Sequence, residues 1–177
     1  MKRWRSLSLV CLFFAGFFLV SCSKALRPSP TTHTLTIPVF ENGTSEPALG
    51  GQVTAVFKET FTRRRFKIVR HEKDAAYILV GTITLFDKTP KSLHRDGKVM
   101  EYRLTIGVTY LLSRRIGNAA SEEMPLKWTD VMHADWVVRS DLSQDRSAQD
   151  RAIREIAKNL SYRAATTLAE SFSKRGS

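Results

Sequence analysis

The chain has 177 residues, two cysteines and a formal net charge of +11. This length suits one domain of ordinary size that buries its own hydrophobic core. Cys11 lies in the apolar N-terminal stretch described next, and a chain that loses this stretch keeps only Cys22, which excludes a disulfide framework within it. The positive charge predicts an acidic partner, or else a basic surface that serves solubility alone.

The N-terminal segment has the parts of a secretory signal. Lys2, Arg3 and Arg5 precede an apolar stretch from residue 7 to residue 20. This stretch is shorter than the ~20 residues that a transmembrane helix needs. It ends in Leu19-Val20-Ser21-Cys22, a sequence that resembles the bacterial lipobox, in which the cysteine is lipidated and becomes the first mature residue. The alternative is a buried cysteine after an ordinary secretion signal.

Lipidation of Cys22 predicts three segments: a signal peptide over residues 1–21, a lipidated tether over 22–32 and one domain over 33–174. The mature chain keeps 25 of the 28 basic residues and all 17 acidic ones, a net charge of +8. Ser23, rather than Asp, follows the cysteine. By resemblance to proteobacterial sorting rules, this favours an anchor on the periplasmic side of the outer membrane. Nucleic acid is not expected at the outer membrane, where the available polyanion is lipopolysaccharide.

The first half of the domain predicts a β-α-β unit. Residues 34–40 alternate as a strand, and Pro38 places it at an edge or ends it early. A helix is expected to start near Ser45, with an apolar stripe that includes Val53 and Phe57. Gly50-Gly51 should weaken its first turns by about 1 kcal/mol per glycine. The run 63–65, three arginines, is expected to compensate the helix dipole, with an anion site as the alternative.

The second half predicts antiparallel strands and a final helix. Strands are expected over 66–70, 77–86, 99–112 and 126–138, with a basic loop over 87–96, a hairpin turn at Asp96-Gly97 and a polar loop over 114–123. Ser143 or Ser147 is expected to cap the last helix, whose apolar positions recur every three or four residues. The predicted fold is a two-layer α+β sandwich: a mixed, mostly antiparallel sheet with two helices on one face.

A catalytic site is not visible in the sequence. The four histidines are scattered, and no metal-ligand spacing, nucleophile elbow or phosphate-binding loop is present. Asp130 and Asp135 lie on a tryptophan-rich strand and are expected to be solvated, with a pair of the two carboxylates as the alternative. We therefore predict neither enzymatic activity nor a cofactor nor a metal.

Several segments together resemble one known family. Residues 95–104, Arg-Asp-Gly-Lys-Val-Met-Glu-Tyr-Arg-Leu, are similar to the hairpin of the lipopolysaccharide-assembly lipoprotein LptE. Residues 36–42, 74–83 and the last helix with Arg163-Ala164-Ala165 are similar to the family's first strand, its second strand region and its last helix. The resemblance implies a protein that plugs the outer-membrane barrel LptD, helps to deliver lipopolysaccharide to the outer leaflet and binds it.

The resemblance also implies a set of basic contacts. Arg95 matches a basic position of the family's hairpin turn, with Lys98 and Lys91 close in sequence. The family's basic position near the start of the last helix aligns with Gln149, which Arg146 and Arg151 flank. The alternative for Arg95 is a solvated turn residue, and Glu101 is expected to pair across the hairpin. Rival functions are an envelope scaffolding lipoprotein without a lipid ligand and a small enzyme with an unrecognised site.

Overall fold

The computed structural model describes residues 34–116, 119–138 and 141–175. The predicted signal peptide, tether and lipidated Cys22 lie outside these residues. The elements are, in chain order, β1 (Thr34–Thr36), β2 (Glu41–Asn42), α1 (Leu49–Arg63), β3 (Lys67–Ile68), a 3-10 turn (Glu72–Asp74), β4 (Tyr77–Leu93), β5 (Val99–Ile116), β6 (Ala119–Val137) and α2 (Leu142–Arg175).

The strands form one mixed sheet in the order β3-β1-β4-β5-β6, and β2 pairs separately with β4. The short strands β1, β2 and β3 pair in parallel. The long strands β4, β5 and β6 pair antiparallel over most of their lengths. The predicted α+β class, with a mixed and mostly antiparallel sheet, is confirmed.

The core lies between one face of this sheet and the two helices. Leu104, Ile106, Val108 and Tyr110, at alternate positions of β5, are fully buried. Phe57 of α1 contacts the Tyr110 ring, with centroids 5.7 Å apart. Inward residues of α2, including Ile156, Leu160, Ala164 and Leu168, belong to the same cluster. Neither described helix is both long enough and apolar enough to cross a membrane.

The β-α-β unit is confirmed, with shifted ends. β1 stops at Thr36, two residues before Pro38, and pairs in parallel with β3. The helix start predicted near Ser45 is wrong, because α1 begins at Leu49 after Ala48 in a left-handed conformation (φ 59°). The last helix is also capped earlier than predicted. Asp141 Oδ1 accepts the Ser143 N–H at 2.7 Å, so α2 starts ahead of both serines that were expected to cap it.

The two predicted loops are wrong. β4 continues through most of the region 87–96, and β5 and β6 extend into the region 114–123. Their polar residues misled the prediction, because a strand that faces solvent does not need apolar alternation. This part of β4 still pairs with β5, for example Thr89 with Arg103. The hairpin at Asp96-Gly97 is confirmed.

Candidate functional site

The hairpin tip, residues 94–98, joins β4 to β5. Gly97 N–H donates to His94 O at 2.9 Å, and His94 N–H donates to Lys98 O at 2.7 Å. Gly97 has φ +83°, which is the left-handed region that glycine enters without steric cost. The turn is therefore a three-residue loop of Arg95, Asp96 and Gly97, in which glycine ends the turn. This geometry places Arg95 at the outermost bend of the hairpin.

Asp96 organises the tip. Its Oδ1 accepts the Lys98 backbone N–H at 3.1 Å and contacts His94 Nδ1 at 2.9 Å. Its Oδ2 lies 3.2 Å from Lys98 Nζ. The Lys98 N–H and the His94 ring hold the pKa of Asp96 below its usual value. The charge of Lys98 is thus partly offset by Asp96 within the tip.

Lys91 belongs to an ion-pair cluster on the face of the sheet that the helices leave open. Lys91 Nζ lies 2.8 Å from Asp135 Oδ2 and 3.3 Å from Glu101 Oε2. Arg103 donates two hydrogen bonds to Asp135, at 2.9 and 3.1 Å. Arg103 first, and then Lys91, lower the pKa of Asp135 well below its ordinary value. The predicted pairing of Glu101 across the hairpin is confirmed. Lys91 therefore forms ion pairs with two carboxylates, those of Asp135 and Glu101.

Arg95 differs from both lysines. It is exposed, and its side chain has no hydrogen-bond or charged partner among the described residues. Two exposed apolar side chains flank the tip, Leu93 (61% exposed) and Met100 (47%). Arg95 therefore offers a free guanidinium beside an apolar surface. A guanidinium in this setting can bind a phosphate through two parallel hydrogen bonds.

Arg146 and Arg151 lie on the first turns of α2, and both are exposed. Between them, Gln149 Oε1 accepts a hydrogen bond from Lys88 Nζ at 3.3 Å. β4 runs five residues beyond Lys88 to Leu93, a rise of about 17 Å. The five predicted site residues thus form two separate groups, one at the hairpin and one at the start of α2.

Lys88 is a basic residue that the sequence did not single out. Its ammonium lies 4.3 Å from the centroid of the Tyr102 ring and 5.0 Å from that of Trp136. Lys88 thus connects the middle of the hairpin to Gln149, which aligns with the family's basic position near the start of the last helix. The alternation of β5 and β6 predicts that Tyr102 and Trp136 share a face, but not that a lysine covers them.

Asp130 is not solvated, and that prediction is wrong. The residue lies on the helix-facing side of β6, with Trp128 and Met132. Its side chain is 8% exposed, and Oδ1 lies 3.1 Å from Arg163 Nη2 on α2. Trp128 Nε1 donates to Oδ2 at 3.2 Å. The Asp130–Arg163 pair joins α2 to the sheet and is a structural contact.

Within residues 34–116, 119–138 and 141–175, no three His, Cys, Asp or Glu side chains are grouped to hold a metal ion. The predicted basic residues lie in two places: Arg95 at the turn of the hairpin, and Arg146 and Arg151 near the start of α2.

Comparison with protein families gives one match. The family model described as LptE, Lipopolysaccharide-assembly, matches residues 32–169, which is most of the chain. The chain belongs to the LptE family. The matched region includes the hairpin, Gln149 and its flanking arginines, all of α1 and α2 as far as residue 169. The predicted family is therefore confirmed.

Solved structures agree with this LptE-family assignment at the level of the fold. The chain is similar to rare lipoprotein B from Shewanella oneidensis, with 14% identity and a TM-score of 0.55 over 81% of this chain and 99% of that one. It is also similar to a putative lipoprotein from Caulobacter crescentus, with 13% identity and a TM-score of 0.53 over 76% and 91%. A comparison with curated proteins gave no significant match.

Proposed function

We propose that this LptE-family chain is a non-enzymatic outer-membrane lipoprotein that plugs an LptD-type β-barrel and binds lipopolysaccharide through its hairpin. The observation that carries the proposal is the unpaired Arg95 at the bend of the hairpin, within the region that the family model matches. Lipid A and the inner core are phosphorylated, so a free guanidinium is a suitable partner. Leu93 and Met100 add apolar surface beside it for an amphiphilic ligand.

The position of the hairpin supports a plug that works from the periplasmic side. Thr34, the first described residue, lies beside the start of β4, because Leu35 pairs with Tyr77. β4 then runs 17 residues to the hairpin, about 50 Å. A bilayer with its headgroups is about 40–45 Å thick. A domain anchored in the inner leaflet and aligned with a barrel axis would bring Arg95 to the level of the outer leaflet.

The barrel partnership is tested by co-purification. Tagged protein is recovered from outer membranes solubilised in mild detergent, and the bound proteins are identified by mass spectrometry. We expect one large β-barrel protein in roughly equal amount. Recovery of the lipoprotein alone, under conditions that keep other barrel complexes intact, would contradict the plug and favour the scaffolding lipoprotein.

Lipopolysaccharide binding is tested at the hairpin. The double substitution Arg95→Asp/Lys98→Asp should weaken lipopolysaccharide binding by about tenfold or more, because charged hydrogen bonds contribute roughly 1.5–3 kcal/mol each. Arg95→Ala alone should cost more than Lys98→Ala, since Asp96 already offsets Lys98. Binding is measured by fluorescence titration of the purified protein with lipopolysaccharide.

The matched control is Lys58→Asp/Arg154→Asp, which reverses two exposed charges on the helices. This variant should bind lipopolysaccharide nearly as the unmodified protein does. Unchanged binding by the hairpin variant, with an unchanged thermal transition, would remove the site. An equal loss in both variants would mean that net charge, and not the hairpin, attracts the ligand.

A further inference from the structure

We propose that, before the chain enters a barrel, the end of the sheet around Thr34 is a docking surface for anionic phospholipid headgroups, which holds the domain against the membrane that anchors it. The proposal rests on the proposed lipidation of Cys22. It concerns the opposite end of β4 from the lipopolysaccharide-binding hairpin. It also gives a role to Arg65, the last residue of the arginine run, which the proposed function does not use.

Strand pairing brings basic residues to both sides of Thr34. Lys67 of β3 is the direct neighbour of Thr34. On the other side, Tyr77 pairs with Leu35 and with Arg114 of β5. Neighbouring strands lie about 4.8 Å apart, so the backbones of Lys67 and Arg114 are about 14 Å apart. The point at which the predicted tether joins the domain lies between them.

Three of the cations at this end are uncommitted. Arg65, Lys67 and Arg114 are exposed, and no side-chain partner for them is found in the described part of the chain. Two other arginines have side-chain partners. Arg63 Nη2 lies 2.6 Å from Glu59 Oε1, and Arg64 Cζ lies 4.8 Å from the centroid of the Tyr162 ring. The same end also holds the exposed acidic residues Glu72 and Asp74.

Arg65 occupies a position that favours glycine. α1 ends in a Schellman motif, in which Phe66 N–H donates to Phe61 O and Arg65 N–H donates to Thr62 O, both at 3.0 Å. Arg65 has φ 66°, a left-handed conformation that is unfavourable for any residue with a Cβ. The Phe61 and Phe66 rings, 5.0 Å apart, complete the motif. The chain thus presents an exposed cation where a glycine would be more stable.

The ligand that fits this arrangement is a surface and not a single molecule. Cations spread over about 14 Å of a strand-end row match many singly charged headgroups better than one compact anion. The tether from Cys22 to Thr34 reaches at most about 40 Å when extended and roughly 20 Å as a flexible chain. Because the anchor keeps the domain close, weak attraction suffices for contact. A lipid chain combined with a basic surface is the pairing that strengthens membrane attachment.

The test uses the mature lipidated protein in vesicles of phosphatidylcholine alone or with one quarter phosphatidylglycerol. A donor dye on Thr62→Cys, an exposed position next to the arginine run, reports energy transfer to an acceptor lipid. We expect higher transfer in the anionic vesicles, and loss of the difference in 1 M salt, where the screening length falls to about 3 Å. The variant Arg65→Gly/Lys67→Gln should lower the ratio of docked to free protein by about 25-fold, since each basic group near such a surface contributes about a factor of five.

The controls separate the two proposals. Arg65→Gly should raise the thermal transition, so a loss of docking in that variant cannot come from unfolding. Arg95→Asp/Lys98→Asp should keep the transfer signal. Equal transfer in the two vesicle types, with protein that floats with both, would overturn the docking surface alone. Protein that fails to float with neutral vesicles would instead contradict the lipid anchor.

Discussion

Replacing Asp130 by alanine is expected to lower the free energy of unfolding by about 2–3 kcal/mol. The substitution removes the carboxylate that pairs with Arg163 and accepts the Trp128 N–H, and it leaves both donors at the interface of α2 and β6. Breaking a buried ion pair by removing one partner costs about 3–5 kcal/mol. We expect less here, because the Arg163 side chain is 59% exposed and can regain water.

Asp135→Ala is the matched control, since Asp135 lies on the same strand with its ion pairs on the open face of the sheet. Although it contacts both Lys91 and Arg103, these pairs are accessible to water, and its replacement should cost at most about 1 kcal/mol. Urea denaturation of the two variants at neutral pH measures both values. Equal losses would mean that the Asp130–Arg163 pair does not fasten α2 to the sheet.

These two aspartates also illustrate what the sequence could and could not predict. The alternation in residues 126–138 places Trp128, Met132 and Trp136 on the core side of β6, and the structure agrees. Asp130 has the same parity, so periodicity alone predicts an inward side chain. The prediction of a solvated side chain follows from its charge, whereas the structure shows that its position on the strand determines its orientation. The partner Arg163 lies on another element, and nothing in the local sequence indicates the pair.

Strand lengths were underestimated for a related reason. The apolar alternation of β4 stops near Phe86, and the residues that follow are mostly exposed. Beyond it, pairing with β5 is stabilised by contacts between distant residues, such as Lys88 with Tyr102 and Lys91 with Glu101. Such cross-strand pairs can be recognised only when the register is known. Because the sequence does not reveal which residues pair across the strands, it indicates a loop where the structure has a hairpin.

The candidate site could be predicted in part. A glycine after a short polar run correctly located the turn and placed Arg95 in it. The sequence could not distinguish Arg95 from Lys91, because both are basic and close together. The difference comes from Asp135, 44 positions away from Lys91, which neutralises the lysine and leaves the arginine free. Local sequence indicates a basic segment, whereas the fold determines which charges remain available.

The adjacent substitutions Gly50→Ala and Gly51→Ala are expected to have opposite effects. Both glycines lie in the first turn of α1, where sequence propensity treats them alike. The structure separates them, because a methyl group on Gly50 would overlap the backbone oxygen of Phe40, whereas one on Gly51 would meet open space. Thr54 fixes this close approach: its hydroxyl donates to Gly50 O at 2.6 Å and accepts the Phe40 N–H at 2.8 Å.

Gly50→Ala should therefore destabilise the domain by about 3 kcal/mol, at the upper end for overpacking, because the obstacle is backbone and cannot rotate away. Gly51→Ala should stabilise it by up to about 1 kcal/mol, the difference in helix propensity between the two residues. In a domain of this size, 1 kcal/mol corresponds to a change of roughly 2–4 °C in Tm. Thermal unfolding followed by circular dichroism should show one transition that falls and one that rises. Two shifts in the same direction would mean that α1 does not dock on Phe40, and that these glycines act through helix propensity alone.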